Sequence, residues 1–209
     1  MKVLAIVASP KREGNVSSIC GKILEGAAQN GHQIEIINLY DYNIKYCIGC
    51  LSCAKTRCCS INDDFDLLFN KEKEADIVIY GTPIYCHDVP GILKNFMDRH
   101  VHAVIPHVDL KEVRGFLGKS KLAMNYMKDF KRNNPFKKKQ FIVVITCSNP
   151  SKGEKQMKHI LFVLKSFIQD EMKAEIVKKI IYSDTLFRFK ENQYDRKMKL
   201  AYRIGFTLN

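Results

Sequence analysis

Apolar residues come along this chain in short, separated runs, and the spacing inside each run distinguishes strand from helix. Lys2 to Ala8 is almost wholly apolar, as a strand covered on both faces is. A polar stretch from Ser9 to Asn15 leads into a helix predicted to about Asn30. Within it Ile19, Ile23, Leu24 and Ala27 keep helical spacing, and Asn30-Gly31 closes it. Further strands are predicted over His32 to Leu39, Asp76 to Gly81, Phe141 to Thr146 and Glu175 to Tyr182. A short helix is expected over Phe65 to Phe69, capped by Asn62-Asp63-Asp64. Another runs from about Val89 to Val101, with Ile92, Leu93, Phe96 and Met97 on its apolar side. A third covers Lys155 to about Met172, with Met157, Ile160, Leu161, Leu164 and Ile168 on one face, and the last covers Tyr194 to Ile204. Residues 103–139 are long for a connection and are expected to carry one short helix in a lid, an insertion or an oligomer contact.

Strands alternating with helices imply right-handed crossovers and a single parallel sheet. Five such strands predict an α/β fold, a flavodoxin-like doubly wound five-stranded parallel sheet in the order 2-1-3-4-5 with helices on both faces. No repeat or linker divides residues 1–209, so one domain is expected.

Composition narrows the classes. With 209 residues and 46% hydrophobic content the chain can bury a full core, which excludes disorder. No window approaches eighteen apolar residues, so no membrane partner is expected. The first apolar run is short and Lys11, Arg12 and Glu13 follow it directly. It reads as a strand, not a secretory signal, and places the protein in the cytoplasm. The 34 Lys and Arg against 22 Asp and Glu give a net charge of +12, which favours anionic partners. The basic residues are scattered, with Lys137-Lys138-Lys139 the only dense tract, so charge alone names no partner.

In a doubly wound sheet, ligands sit beyond the carboxyl ends of the strands at the switch point, here strands one and three. The loop there, Ser9-Pro10-Lys11-Arg12-Glu13-Gly14-Asn15-Val16-Ser17-Ser18, is neither a G-x-G-x-x-G nor a G-x-x-x-x-G-K-[ST] loop. It offers hydroxyls, an amide, a cation and helix N-terminal N–H groups, a set that suits a terminal phosphate dianion. An ordinary capped turn explains Asn15 and Ser17 as well.

Five of the eight cysteines, Cys47, Cys50, Cys53, Cys58 and Cys59, fall within thirteen residues. In a chain without a secretory signal such a cluster points to metal or redox chemistry. Zinc sites pair two distant Cys-x2-Cys knuckles, whereas three ligands at spacing three plus a near fourth are closer to the run that wraps a [4Fe–4S] cubane. Free or redox-active thiols and zinc remain the alternatives, and Cys58 and Cys59 compete for the fourth position.

Four motifs in order, Ser-Pro-Lys-x-x-Gly-Asn-x-Ser-Ser, Cys-Ile-Gly-Cys-x-x-Cys with the later Asp-Asp, Gly-Thr-Pro-Ile-Tyr, and Leu-Lys-Asn-Phe-Met-Asp-Arg, resemble the NADPH-dependent FMN reductase family. Within it the chain looks most like the iron–sulfur flavoprotein branch, over roughly residues 1–100. The resemblance implies that Ser9, Pro10, Lys11, Asn15, Val16 and Ser17 hold the FMN phosphate, and that Thr82, Pro83, Ile84 and Tyr85 lie along the isoalloxazine ring. Val16 stands where the family usually has a threonine, leaving its backbone N–H. Thr146-Cys147-Ser148-Asn149-Pro150 replaces a segment usually richer in glycine. The resemblance also implies Cys47, Cys50, Cys53 and Cys59 as cluster ligands, because the family's last cysteine sits four residues before the first aspartate of the pair. Arg57 replaces a glycine often found just ahead of it.

The implied activity is an FMN-dependent oxidoreductase passing electrons between a reduced donor, a ferredoxin-like carrier or NAD(P)H, and an acceptor, with a [4Fe–4S] cluster beside the flavin. An NAD(P)H-dependent FMN or quinone reductase with unmetallated cysteines is the alternative. No side chain is assigned as acid or base, since the chemistry belongs to the cofactor. A homo-oligomer is expected, and a nucleic-acid module is not.

Overall fold

In a computed structural model the chain is described over residues 1–105, 134–148, 153–183 and 191–209. The strands are β1 (Lys2–Val7), β2 (Gln33–Asn38), β3 (Ile77–Pro83), β4 (Gln140–Thr146) and β5 (Glu175–Tyr182). The helices are α1 (Asn15–Gln29), α2 (Cys53–Thr56), α3 (Phe65–Glu74), α4 (Gly91–Arg99), α5 (Val101–Val104), α6 (Gly153–Lys165) and α7 (Glu191–Phe206). All strands pair in parallel, in the order β2-β1-β3-β4-β5. The expected flavodoxin-like α/β topology is therefore present.

Apolar cores lie on both faces of the sheet, which is why β1, β3 and β4 read as nearly continuous apolar runs. One face packs on α3, α4 and α6 through Phe65, Leu93, Phe96, Ile160 and Leu164. The other packs on α1 and α7 through Ile19, Ile23, Ala27 and Ala201. Here the two helices touch backbone to backbone: a Cβ on Gly26 would stand 2.0 Å from Tyr202 O, and one on Gly205 1.8 Å from Ile23 O.

The helix α3 runs five residues past the predicted end at Phe69. The charged tail Lys71-Glu72-Lys73-Glu74 hid it, because Glu72 turns into the core. There Glu72 Oε2 lies 2.6 Å from His100 Nε2, and Glu72 also accepts from the Tyr80 hydroxyl. His100 Nδ1 donates to Phe96 O at 2.8 Å, so every polar atom of this knot has a partner. The helix predicted to Met172 is α-helical only to Lys165 and then widens into a π-turn over Ser166–Glu171. Of the expected lid or insertion at 103–139, residues 106–133 lie outside the described residues. Its far end is anchored: Phe136 is fully buried and Asn134 Nδ2 donates to Met172 O. Among the described residues no helix is long and apolar enough to cross a membrane.

Candidate functional site

The strands β1 and β3 pair from Val3↔Ile77 to Val7↔Gly81, so their carboxyl ends open side by side. The loop leaving β1 is braced from within. Ser9 Oγ accepts from Lys11 N at 3.3 Å, and Lys11 O accepts from Gly14 N at 3.1 Å and from the Ser17 hydroxyl at 3.2 Å. Asn38, at the end of β2, donates to Ser9 O at 2.9 Å. Gly14 is forced by this turn, since a Cβ there would meet Lys11 Cβ at 2.9 Å. The first bond of α1 runs from Ser18 N to Gly14 O, which leaves the N–H groups of Val16 and Ser17 without an acceptor inside the helix. The first turn carries no acidic residue. Such a helix start favours negative charge. Val16 is 2% exposed and packs into the core, so only its main chain remains for a ligand.

The second wall leaves β3. Ile84 N donates to Thr146 O at 3.0 Å, and Tyr85 and Asp88 exchange two backbone bonds of 2.9 Å. These close a tight turn at Cys86 and His87, both left-handed at φ of +47° and +69°. The turn holds the Tyr85 ring out, 42% exposed.

The two walls meet around one cavity of about 210 Å³. Ser9, Lys11, Asn15 and Val16 line one side and Pro83, Ile84 and Tyr85 the other, with Thr146 and Ser148 behind. Pro10, Ser17 and Thr82 are not among its lining residues. Pro10 is exposed, the Ser17 hydroxyl is spent on bracing the loop, and Thr82 is fully buried with its hydroxyl donating to Pro83 O. A larger groove of about 730 Å³ lies between α1 and α7, away from the strand ends.

The cysteine loop leaves the same edge after β2. Gly49, Leu51 and Arg57 take left-handed φ of +65°, +58° and +57°, and Arg57 ends the short helix α2. That conformation costs a side chain about 1–2 kcal/mol. Cys47, Cys50 and Cys58 are exposed, Cys59 is half-buried and Cys53 is buried. Burial, followed by the neighbouring Cys59, Cys50 and Cys47 thiolates, pushes the Cys53 thiol up. Hydrogen bonds from Ser52 and Ser60 lower Cys50 to about 7, with Cys50 Sγ 3.4 Å from Ser60 Oγ. Among the described residues no three His, Cys, Asp or Glu side chains converge on a single metal position. The donor chemistry nevertheless suits a thiophilic iron centre: four cysteine sulfurs on one short loop, with Cys53 close enough to Cys59, Cys50 and Cys47 to feel their charge and Cys50 lowered by its hydrogen bonds.

Sequence reasoning read Asp63 as part of a helix cap and met Arg99 only as the last residue of the Leu-Lys-Asn-Phe-Met-Asp-Arg motif, with no role assigned. In the structure Asp63 Oδ1 does accept from Phe65 N at 3.1 Å, but its main partner is Arg99, at 2.7 and 3.1 Å with both side chains buried. Burial works against the charge on Arg99, and the Asp63 carboxylate and the Cys59 thiol outweigh it, so Arg99 is held above its ordinary value. Asp63 is held low despite its burial, because Arg99 and the N–H groups of Lys45 and Phe65 donate to it. The missed signal was spacing: Arg99 follows Leu93 and Phe96 at helical intervals on the buried face of α4.

The sequence pattern of the NADPH-dependent FMN reductase family matches residues 1–176. The chain belongs to this family of flavin-dependent oxidoreductases. An iron-sulfur flavoprotein of Methanocaldococcus jannaschii is 41% identical over 99 residues, 47% of this chain and 51% of that protein. One from Archaeoglobus fulgidus is 44% identical over 99 residues, 47% and 48% of the two chains. The match thus spans about half the length of these curated relatives. Among solved structures, an NAD(P)H:quinone oxidoreductase from Methanothermobacter marburgensis superposes with a TM-score of 0.69 at 16% identity, covering 100% of this chain and 99% of that one. An archaeal flavodoxin gives 0.52 at 12% identity, covering 99% and 94%. These likenesses show the flavodoxin-like fold, and the family match extends past the first hundred residues.

Proposed function

We propose that this chain is an FMN-dependent oxidoreductase that seats the flavin phosphate on the Ser9–Ser17 loop and the ring against Pro83, Ile84 and Tyr85, with the buried Thr82 holding Pro83 O rather than touching the ring. A [4Fe–4S] cluster is held by Cys47, Cys50, Cys53 and Cys59. The observation that carries the reading is that two separate sequence segments, one after β1 and one after β3, line one cavity at the topological switch point. At about 210 Å³ the cavity is smaller than a pocket for a whole ligand of this size, roughly 300–1,000 Å³. It suits the phosphate end, and the exposed Tyr85 at its rim would border the ring.

The chain's own residues have defined tasks in this account. Lys11 supplies the cation, and the N–H groups of Val16 and Ser17 supply donors aligned with the α1 dipole. The Ser17 hydroxyl turns its proton from Lys11 O to the phosphate. Pro83 and Ile84 place an apolar wall against one side of the ring, and Tyr85 limits water above it. Bound FMN supplies two-electron and one-electron redox chemistry, and the cluster supplies single electrons. NAD(P)H or a ferredoxin-like carrier is the proposed donor, and a homo-oligomer the proposed assembly. The spread of the cysteine side chains favours a second reading, an NAD(P)H-dependent FMN or quinone reductase with free thiols.

Heat release of the flavin from protein loaded with FMN, followed by chromatography, is expected to return FMN. Lys11→Ala with Ser17→Ala should weaken FMN binding by about 2–4 kcal/mol, through loss of one ammonium and one hydroxyl contact to the phosphate. Failure to retain FMN, or an unchanged affinity in the double variant, would overturn the assignment.

A further inference from the structure

Arg99 ends α4 with its side chain 1% exposed. Nη1 donates to Lys45 O at 2.9 Å and to Asp63 Oδ2 at 2.7 Å, and Nη2 donates to Asp63 Oδ1 at 3.1 Å. The guanidinium carbon lies 4.5 Å from the centre of the Phe65 ring. Its polar partners are the two roots of the cysteine loop: Lys45 enters it and Asp63 leaves it. The roots are also tied to each other. Lys45 N donates to Asp63 Oδ2 at 2.8 Å, Asn43 N to Asp64 Oδ2 at 2.7 Å, and Asp64 N to Asn43 O at 3.1 Å. The loop therefore hangs from a clasp that one residue of α4 locks from beneath.

One feature exceeds what a clasp requires. Arg99 Nε is buried and has no hydrogen-bond partner among the described residues. An N–H left so in a core is costly unless an acceptor arrives. The Cys59 thiol is close enough to the same guanidinium to help hold it charged.

We propose that Arg99 is the positioning residue of the cysteine loop, locking both of its roots and offering a spare buried N–H to the anionic sulfur site that includes Cys59. The second half rests on the cluster reading above; the first does not. Hydrogen bonds to cluster or thiolate sulfur stabilise the more negative, reduced state and so raise the reduction potential.

Two measurements on Arg99→Gln and Arg99→Lys, each checked for fold by circular dichroism and FMN retention, separate the halves. In FMN-loaded protein without iron, tryptic cleavage at the exposed Lys55 is followed by mass spectrometry. Both variants should be cut about tenfold faster or more, because losing the fork frees the loop to open. After anaerobic reconstitution with iron and sulfide, the cluster of Arg99→Gln should show a reduced-to-oxidised ratio about tenfold lower at a fixed potential, a shift of about 59 mV for one electron. Arg99→Lys, which keeps the charge and loses the Nε–H, should fall between it and the unmutated protein. An unchanged cleavage rate overturns the clasp, and an unchanged potential overturns the N–H donation. If the unmutated protein takes up no iron, the cluster reading and the N–H donation fail together, while the trypsin measurement still decides the clasp.

Discussion

Removing the two hydroxyls beside Cys50 should reverse the order of thiol reactivity between neutral and alkaline pH. Hydrogen bonds from Ser52 and Ser60 bring Cys50 from the ordinary 9.0 to about 7. At pH 7 such a thiol is about half thiolate, against about 1% for an ordinary one, a fifty-fold difference in the reactive form. A less basic thiolate is also a weaker nucleophile. With a Brønsted slope of about 0.45, two pKa units cost about eight-fold. The net advantage of Cys50 at pH 7 is therefore about six-fold. In Ser52→Ala/Ser60→Ala the hydroxyl donors are lost and only the backbone N–H donors of Ser52 and Cys50 remain, so Cys50 should react more slowly with a small neutral disulfide, by up to about six-fold. At pH 10 both thiols are mainly ionised and only nucleophilicity differs, so the variant should then be faster, by up to about seven-fold. Metal-free protein, a short pulse of disulfide and peptide mass spectrometry at Cys50 give the rates. Cys20, buried and pushed up to about 12, serves as the unreactive internal control. Equal rates at pH 7, or no crossover by pH 10, would refute the claim that these hydroxyls activate the thiol.

The fourth ligand gives a second test: anaerobically reconstituted Cys59→Ser should lose iron or fall to a three-iron form, while Cys58→Ser keeps about four irons per chain. The reverse pattern would move the ligand to Cys58. The Asp63–Arg99 pair gives a third. Because the folded pKa of Asp63 is lowered, its stabilisation is fully present above its unfolded value near 3.9 and is lost as the pH falls through the lower, folded value. Asp63→Asn should cost about 3–5 kcal/mol by urea unfolding at pH 6, and the gap should narrow on acidification below pH 4. A gap that stays constant with pH would show that the ionised carboxylate is not what holds Arg99.

The sheet was legible because burial on both faces leaves nearly continuous apolar strands, and α1 was legible because Ile19, Ile23, Leu24 and Ala27 meet a single core. The walls of the cavity were legible for a topological reason: a doubly wound sheet fixes where the loops after β1 and β3 must open. What sequence reasoning lost were the buried charges. Glu72 and Arg99 were given no place in the core, and their burial is made tolerable by Tyr80 and His100 for the one and by Asp63 and Lys45 for the other. Those partners are 8 to 54 residues distant along the chain, so no local pattern announces them. The bracing role of Ser17 was hidden similarly, since its hydroxyl serves Lys11 O across a turn that depends on Gly14.

The most direct test of the proposed function is the visible spectrum of the protein after anaerobic reconstitution with FMN, iron and sulfide and removal of the excess. The account predicts flavin bands overlaid on broad brown absorption that bleaches on reduction, with about four irons per chain. Flavin bands alone would give the cysteines to the free-thiol reductase. A colourless protein would contradict the flavin site, and with it the assignment of the cavity between β1 and β3.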